Sequence, residues 1–134
     1  MRQTTLHVRD DAEIRNVVRT FAESDTGLIA LPDPFLSVRR EMVANEALAA
    51  KLPSIYPLRY FAAAGGLLSY GVNAVAQYKD AAVDVDRILR GASPADLPIQ
   101  APSAFEMVLN LKTAYALGLA VPQFLLSQAT EVIE

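Results

Sequence analysis

Length, composition and charge exclude several classes of protein before any motif is considered. The chain has 134 residues, a length typical of one domain, and its 52% hydrophobic and 20% charged residues suit a folded core. Its net charge of −3 and its pI near 5.1 provide no concentration of cations for phosphate, so we expect no nucleic-acid partner. The absence of cysteine excludes disulfides, thiol catalysis and cysteine metal clusters.

The apolar runs of the chain are too short to cross a membrane. None reaches the ~18 residues that a spanning helix needs. The first residues, Met1 to Thr5, lack the apolar core of a secretory signal. We therefore expect a chain that has no membrane span and no signal peptide of its own.

Strand and helix signals alternate along the first part of the chain. Thr4–Val8 has the β-branched residues and the apolar alternation of a short strand. Asp10 precedes Glu13 by three residues, a capping-box spacing that predicts the start of a helix, and this helix should fray at residues 24–27. Leu28–Leu31 is continuously apolar, which predicts a strand covered on both faces.

The alternation continues through the next segment. Pro32 and Pro34 end the second strand, because proline has no N–H to donate to a sheet. Ser37–Lys51 is rich in good helix formers and predicts a helix, and Leu52–Pro57 is a short strand between prolines. The order β-α-β-α-β predicts a parallel sheet with right-handed crossovers. The expected fold class is α/β, a Rossmann-like three-layer parallel sheet, in a single domain over residues 1–134.

The clearest helix signal follows a fourth strand. The pair Gly65 and Gly66 predicts a turn, after which Leu67–Tyr70 reads as a short strand ending at Gly71. Asn73 is a good N-cap, and Gly91 predicts a left-handed C-cap. Between these two caps an apolar stripe runs along one face of the helix, formed by Val75, Tyr78, Ala82, Val85 and Leu89.

The last third of the chain predicts a connector, a strand and two helices. Ala92–Pro102 contains three prolines and predicts an extended, stiff connector. Phe105–Asn110 reads as the last strand, and a short helix should then run to Gly118. Pro122, at the first position of a helix, opens a terminal helix with Leu125, Ala129 and Val132 on one side.

The sequence contains no set of residues that indicates catalysis. His7 is the only histidine and lies in an apolar segment, so neither a serine triad nor a zinc site can be assembled around it. We expect a structural or solvent-facing role for it. The glycine pair does not form a dinucleotide fingerprint, and Lys112–Thr113 lacks the glycine loop of a phosphate binder. We expect no enzyme activity, no metal and no cofactor.

Two groups of residues follow predicted strands, where open parallel sheets place their ligand sites. Asp33 could receive an ammonium or hydroxyl group, or it could be a helix N-cap or turn residue. Tyr56, Arg59, Tyr60 and Phe61 could offer aromatic faces and a guanidinium to a small organic ligand, or they could seal the end of the sheet. From the residues alone both alternatives stay open.

Several segments, in their order and spacing across nearly the whole chain, resemble one known family. It is the family of ABC-transporter substrate-binding proteins with a type I periplasmic-binding fold, in the branch often linked to aromatic amino acids. The chain resembles only the C-terminal half of such a protein. The matching segments are 31–35 (LPDPF), 52–56 (LPSIY), 64–71 (AGGLLSYG), 86–91 (DRILRG), 94–98 (PADLP), 105–114 (FEMVLNLKTA) and 116–122.

The resemblance implies a two-lobed binding protein that closes on a small, amino-acid-like ligand and presents it to an ABC permease. It implies a periplasmic or extracytoplasmic location, and it places residues 66–100 in a segment that crosses to the other lobe. In such a protein Asp33 would face the cleft and bind the ammonium group of the ligand. The other ligand-binding residues that we expect are Pro32, Tyr56, Arg59, Ser69 and Tyr70.

The chain is about half as long as members of this family, which has consequences for its surface. Half of the ligand shell would be missing, and residues 66–100 would expose an apolar helix face. We expect this segment to fold back on its own sheet or to exchange with a second chain, which would give a homodimer. The alternative function is a stand-alone regulatory or signalling module with a flavodoxin-like sheet.

Overall fold

The computed structural model describes residues 3–22 and 26–134 of the chain and shows a mixed α/β fold. A five-stranded sheet has its strands in sequence order, β1-β2-β3-β4-β5. The strands are β1 Leu28–Ile29, β2 Ser54–Tyr56, β3 Leu68–Val72, β4 Phe105–Asn110 and β5 Glu131–Ile133. The helices of the described residues are α1 Asp11–Phe21, α2 Pro34–Val38, α3 Arg40–Ala49, α4 Arg59–Ala63, α5 Ala74–Leu89, α6 Leu111–Ala116 and α7 Gln123–Gln128. The predicted α/β class is confirmed.

The sheet is mostly parallel, with one reversal. Strands β1, β2 and β3 are parallel, β4 is antiparallel to β3, and β5 is parallel to β4. The predicted parallel sheet is confirmed for β1 to β3, and the reversal at β4 is a feature that the sequence did not indicate. The reason for the reversal is that residues 73–104 leave the sheet at the end of β3 and return at that same end, so that Val72 pairs with Phe105.

The predicted first strand is absent. Residues 3–9 are irregular and His7 is exposed, in agreement with a solvent-facing histidine. A strand needs a partner for its N–H and C=O groups, and the sheet begins with β1, which is only two residues long. The start of α1 is confirmed, because the Glu13 N–H donates to Asp10 at 2.8 Å. The predicted fraying at residues 24–27 lies partly outside the described residues.

The core lies on one face of the sheet, which we call the inner face. It is formed by Ile14, Ala30, Val43, Tyr56 and Phe61, which come from α1, β1, α3, β2 and α4 and the segments next to them. The opposite, outer face is bare at β1, where Ile29 and Leu31 are 57% and 63% exposed. The prediction that Leu28–Leu31 is covered on both faces is therefore wrong.

The reversal at β4 explains why the outer face is covered at only one end. Right-handed crossovers place α3 and α4 on the inner face, and the reversed pair β4 and β5 places its crossover helices on the opposite face. A row of paired apolar residues crosses the outer face, with Ile29 and Ile55 exposed at one end and Leu109 buried towards the other. Strands β1 to β3 keep an open apolar surface.

Polar side chains fix the turn at Gly65 and Gly66. Asn110 donates from Nδ2 to the Ala62 carbonyl at 3.0 Å, and Thr113 donates from Oγ1 to the Gly65 carbonyl at 2.8 Å. The two side chains are buried, and the Asn110 Oδ1 also accepts the Thr113 N–H. A buried polar group without a partner is costly, so this satisfied set holds the turn to the start of α6.

Both caps of α5 are as predicted. Asn73 accepts the Ala76 N–H at 2.9 Å, and Gly91 has a positive φ of 102°. None of the residues of α5, which are all described, is buried. The helix therefore does not fold back on its own sheet, and that alternative is wrong.

The predicted helix boundaries fail at two places. The helix expected over Ser37–Lys51 is divided at Arg39, whose φ of −98° and ψ of 14° lie outside the helical range. The expected terminal helix stops at Gln128, and Val132 pairs with Leu109 in a strand that the sequence did not indicate. Pro122 is the N-cap of α7 and not its first residue. The helical spacing of Leu125, Ala129 and Val132 is outweighed by pairing with a neighbouring strand.

No helix among residues 3–22 and 26–134 combines the length and the apolar character that a membrane span requires.

Candidate functional site

An open apolar cavity of about 330 Å³ lies where β1 and β2 end and β3 passes. The carboxyl ends of parallel strands form one edge of a sheet, which is the usual place for ligands in α/β folds. The cavity is lined by Ile29, Ala30, Leu31, Pro32, Ile55, Tyr56, Pro57, Leu58, Tyr70, Gly71 and Val72. Its lining suits a small ligand with an apolar body.

Tyr70 supplies the largest exposed aromatic surface of this cavity. Its ring stacks on that of Phe105, with centroids 6.0 Å apart and planes 15° from parallel. Phe105 lies on β4, which pairs with β3, so the sheet itself supports the stacked pair. The predicted residue Pro32 lies on the opposite side of the cavity, at the end of β1, and is exposed. The structure therefore brings Pro32 and Tyr70 to one cavity.

Gly71 allows the close contact on which the shape of this cavity depends. A Cβ atom on Gly71 would lie 1.9 Å from the Pro57 carbonyl oxygen, a distance that no side chain can adopt. The sequence indicated Gly71 only as the end of a strand, whereas β3 continues through it to Val72. A glycine inside a strand often marks the close approach of another backbone, and that signal could have identified this residue.

Tyr56 borders the cavity, but its side chain belongs to the core. The residue is fully buried, and its ring stacks on Phe61 with centroids 5.0 Å apart. Burial raises the pKa of the Tyr56 hydroxyl, which has no hydrogen-bond partner among the described residues. Tyr56 and Phe61 thus seal the sheet, as one of the two sequence alternatives proposed.

Asp33 caps a helix at the edge of the cavity. Its Oδ1 accepts the N–H groups of Phe35 at 2.7 Å and Leu36 at 3.2 Å, which makes it the N-cap of α2. The side chain is exposed, and its Oδ2 makes no hydrogen bond to the described part of the chain. Capping therefore uses one carboxylate oxygen and leaves the other accessible.

Arg59 and Ser69 lie outside the cavity lining. The Arg59 guanidinium forms two hydrogen bonds to Glu131, at 2.8 and 2.7 Å, and this pairing raises its pKa. The bonds join α4 to β5. Ser69 is paired with Tyr56 in the sheet and is buried, and its Oγ has no hydrogen-bond partner among the described residues.

A second, shallower cavity of about 410 Å³ lies between α2 and α4 and is lined by Ser37, Val38, Arg40 and Tyr60. The Tyr60 hydroxyl donates to the Ser37 Oγ at 3.0 Å, and the Arg40 guanidinium lies 5.7 Å from the Tyr60 ring. Within the described ranges, no group of histidine, cysteine, aspartate and glutamate side chains could hold a metal ion.

Solved structures with this fold include three that are about twice as long as the chain. A conserved domain protein from Vibrio cholerae is 25% identical, with a TM-score of 0.79 over 91% of this chain and 41% of its own. An ABC domain in complex with L-Trp from Streptococcus pneumoniae is 25% identical, with a TM-score of 0.79 over 94% of this chain and 44% of its own. A ligand-free, open substrate-binding protein with adhesive properties from Clostridium difficile is 19% identical, with a TM-score of 0.70 over 94% and 42%, and shows the fold alone.

The chain thus spans about two fifths of the length of these structures. No curated protein matches it. Residues 1–133 match the family described as ABC transporter substrate binding protein, a family of binding proteins and not of enzymes. The chain therefore belongs to the ABC transporter substrate-binding protein family.

Proposed function

We propose that the chain binds a small, amino-acid-like solute in the apolar cavity at the carboxyl ends of β1 and β2, as part of a bacterial ABC importer. The observation that carries this proposal is the cavity itself, with the exposed ring of Tyr70 on one side and Pro32 on the other. An aromatic face and an apolar floor suit a hydrophobic side chain. The L-Trp bound to the Streptococcus pneumoniae structure supports an amino acid as the ligand class.

The ammonium group of such a ligand would bind the free oxygen of Asp33. The Oδ1 atom caps α2, so Oδ2 can accept a charge-assisted hydrogen bond without loss of the cap. We expect Arg59 to contribute less to ligand binding, because its guanidinium already donates two hydrogen bonds to Glu131. Ser69 lies on the core face and would act on the ligand only through the position of β3.

The cavity is open to solvent, so this chain by itself can enclose only part of a ligand. A binding site gains affinity by enclosing the ligand, and an open half-site leaves much of it in water. In the proposed two-lobed protein, residues 66–100 cross to a first lobe, which supplies the second wall. We therefore expect millimolar binding by this chain alone and much tighter binding by a two-lobed protein.

An ABC permease and an extracytoplasmic location follow from the same proposal, since importers receive their solutes outside the cytoplasm. The family match favours this role over a flavodoxin-like regulatory module. A homodimer formed by segment exchange would compete with it. Helix α5 of a second chain would then cover Ile29 and Ile55, which are walls of the ligand cavity.

Titration of the isotope-labelled chain with L-tryptophan and L-leucine, followed by NMR, tests the site. We expect shifts in the amides of residues 29–31, 55, 56, 58 and 70–72, with dissociation constants near the millimolar range. Tyr70→Ala should weaken L-tryptophan binding about tenfold, a loss of the size of one aromatic contact. Tyr115→Ala is the matched control, because that ring is also exposed but lies on α6.

Two results would contradict the proposal. Shifts confined to other residues at saturating ligand would remove the site from this cavity. A submicromolar dissociation constant for the chain alone would instead refute the argument that the cavity is half of a site.

A further inference from the structure

Asn73 joins the sheet to helix α5 through all four of its hydrogen-bonding groups. Its backbone N–H donates to the Ala104 carbonyl at 2.9 Å, and its side-chain Nδ2 donates to the Glu106 Oε2 at 2.9 Å. On the other side, its carbonyl accepts the Gln77 N–H at 3.1 Å, and its Oδ1 accepts the Ala76 N–H at 2.9 Å. Two of the four groups therefore bind the β4 side of the junction, and two bind the helix.

The ladder between β3 and β4 ends at this junction. Val72 pairs with Phe105, and the backbone bond from Asn73 to Ala104 follows directly after that pair. Within the described ranges, no other hydrogen bond or ion pair joins residues 74–103 to a strand. The direction in which α5 leaves the sheet therefore depends on Asn73 and its partners.

Glu106 is an anionic acceptor for the side chain of Asn73. It lies opposite Gly71 in the ladder of β3 and β4 and is partly buried. Its charge also reaches Arg59, whose pKa is raised first by its hydrogen bond and charge attraction to Glu131 and to a smaller extent by the charge of Glu106. A hydrogen bond to an ionised carboxylate is roughly twice as strong as one between neutral groups. The bond from Asn73 is therefore strong enough to restrict the junction.

We propose that Asn73 and Glu106 are positioning residues, and that the bond between their side chains fixes the angle at which α5 leaves the sheet. A chain that crosses between two parts of a protein changes direction at a few residues at the ends of its elements. Asn73 is such a residue, with a φ of −72° and a ψ of 101° directly before α5. In the two-lobed protein of the proposed function, on which this last step rests, that angle would set the width of the ligand cleft.

Asn73→Asp separates this positioning role from helix capping. Aspartate caps a helix as well as asparagine does, so its Oδ1 can keep the bond from Ala76. Its second oxygen replaces the Nδ2 donor and repels Glu106. Glu106→Gln alone keeps the bond, because the glutamine Oε1 still accepts from Asn73. In the double variant the glutamine Nε2 donates to the new carboxylate, so the bond returns with donor and acceptor exchanged.

Residual dipolar couplings of the backbone amides, measured in a stretched gel, test the proposal because they report the alignment of α5 and of the sheet separately. We expect one shared alignment tensor in the unmodified chain and in Glu106→Gln. In Asn73→Asp the alignment of α5 should fall to about half that of the sheet, because the helix then samples a range of angles. The double variant should restore the shared tensor. The experiment uses no ligand, so its result does not depend on whether the cavity binds a solute.

Glu106→Ala breaks the same bond without adding a charge. It removes the acceptor, leaves the cap on Ala76 intact and should lower the alignment of α5 as Asn73→Asp does. Ser93→Ala is the matched control, because it removes a bond to the Ala95 N–H within the same crossing segment and should leave the shared tensor unchanged. Cα chemical shifts of α5 show whether the helix persists in each variant. If Asn73→Asp unfolds the helix, the comparison of Glu106→Ala with Glu106→Gln decides the proposal.

Three outcomes would overturn the proposal. One is a shared tensor that persists in both Asn73→Asp and Glu106→Ala. Another is a double variant in which α5 aligns as weakly as in Asn73→Asp alone. The third is a helix that aligns independently of the sheet in the unmodified chain.

Discussion

Helices α1 and α5 both carry apolar stripes at helical spacing, yet they lie in opposite environments. Ile14 and Val18 on α1 are 3% and 2% exposed, whereas Val75 and Leu89 on α5 are 65% and 81% exposed. Both helices begin with a side-chain cap, so local signals do not separate them. The difference is that α1 packs against α3 and the core, while α5 leaves the sheet with residues 73–104. An amphipathic pattern predicts a helix with one buried face, but it does not identify the surface against which that face packs.

The largest expected effect on stability comes from removing one aromatic ring from each region. Phe61→Ala should lower the free energy of unfolding by about 4 kcal/mol, because the ring is buried against Tyr56 and leaves a cavity. Tyr78→Ala on α5 should change it by less than about 0.5 kcal/mol, because that ring is 80% exposed. Urea unfolding followed by circular dichroism measures both. Similar losses for the two variants would show that the apolar face of α5 is packed against another surface.

A smaller effect is expected from adding one methyl group to a glycine in each region. Gly71→Ala should cost about 3 kcal/mol, because its Cβ would lie 1.9 Å from the Pro57 carbonyl and the backbone must move. Gly91→Ala, at the end of α5, has no atom within 4 Å of the new Cβ, and its positive φ should cost about 1 kcal/mol. The urea midpoints of the two variants decide the order, and a larger cost at Gly91 would contradict it.

The smallest effect is expected on the free energy of unfolding at alkaline pH. Burial raises the pKa of Tyr56 above its ordinary value of 10.0, so the folded state holds this proton at a pH where the unfolded chain releases it. The stability due to the neutral hydroxyl is complete below pH 10 and declines as the pH rises towards the folded pKa. Tyr56→Phe should therefore lose less stability between about pH 9 and pH 11 than the unmodified chain. Tyr78→Phe is the control, and an unchanged slope in Tyr56→Phe would contradict the prediction.

The candidate site could be predicted only in part. Pro32 and Tyr70 were expected from resemblance to a family, and they line one cavity. Arg59 was expected to meet a ligand, but it is paired with Glu131 on β5, a strand that the sequence did not indicate. Gly71 was missed as a packing residue because its contact, Pro57, lies on a different segment of the sheet edge. In each case the deciding contact joins residues far apart in the chain.

The sequence by itself determined the features that depend on neighbouring residues. Asp10, Asn73 and Gly91 cap their helices as predicted, because a cap is a bond or a φ angle within one helical turn. The strand at Phe105–Asn110 was also predictable from its own residues.

Only the tertiary structure decided the direction of β4, the existence of β5 and the faces that stay bare. The reversal at β4 depends on where residues 73–104 return to the sheet, and β5 forms because Val132 finds Leu109 as a partner. The bare face of β1 to β3 and the exposed apolar stripe of α5 follow from that path, because a side chain is buried only where two surfaces meet. Ile29, Leu31 and the apolar residues of α5 stay exposed because no element within residues 3–22 and 26–134 packs against them.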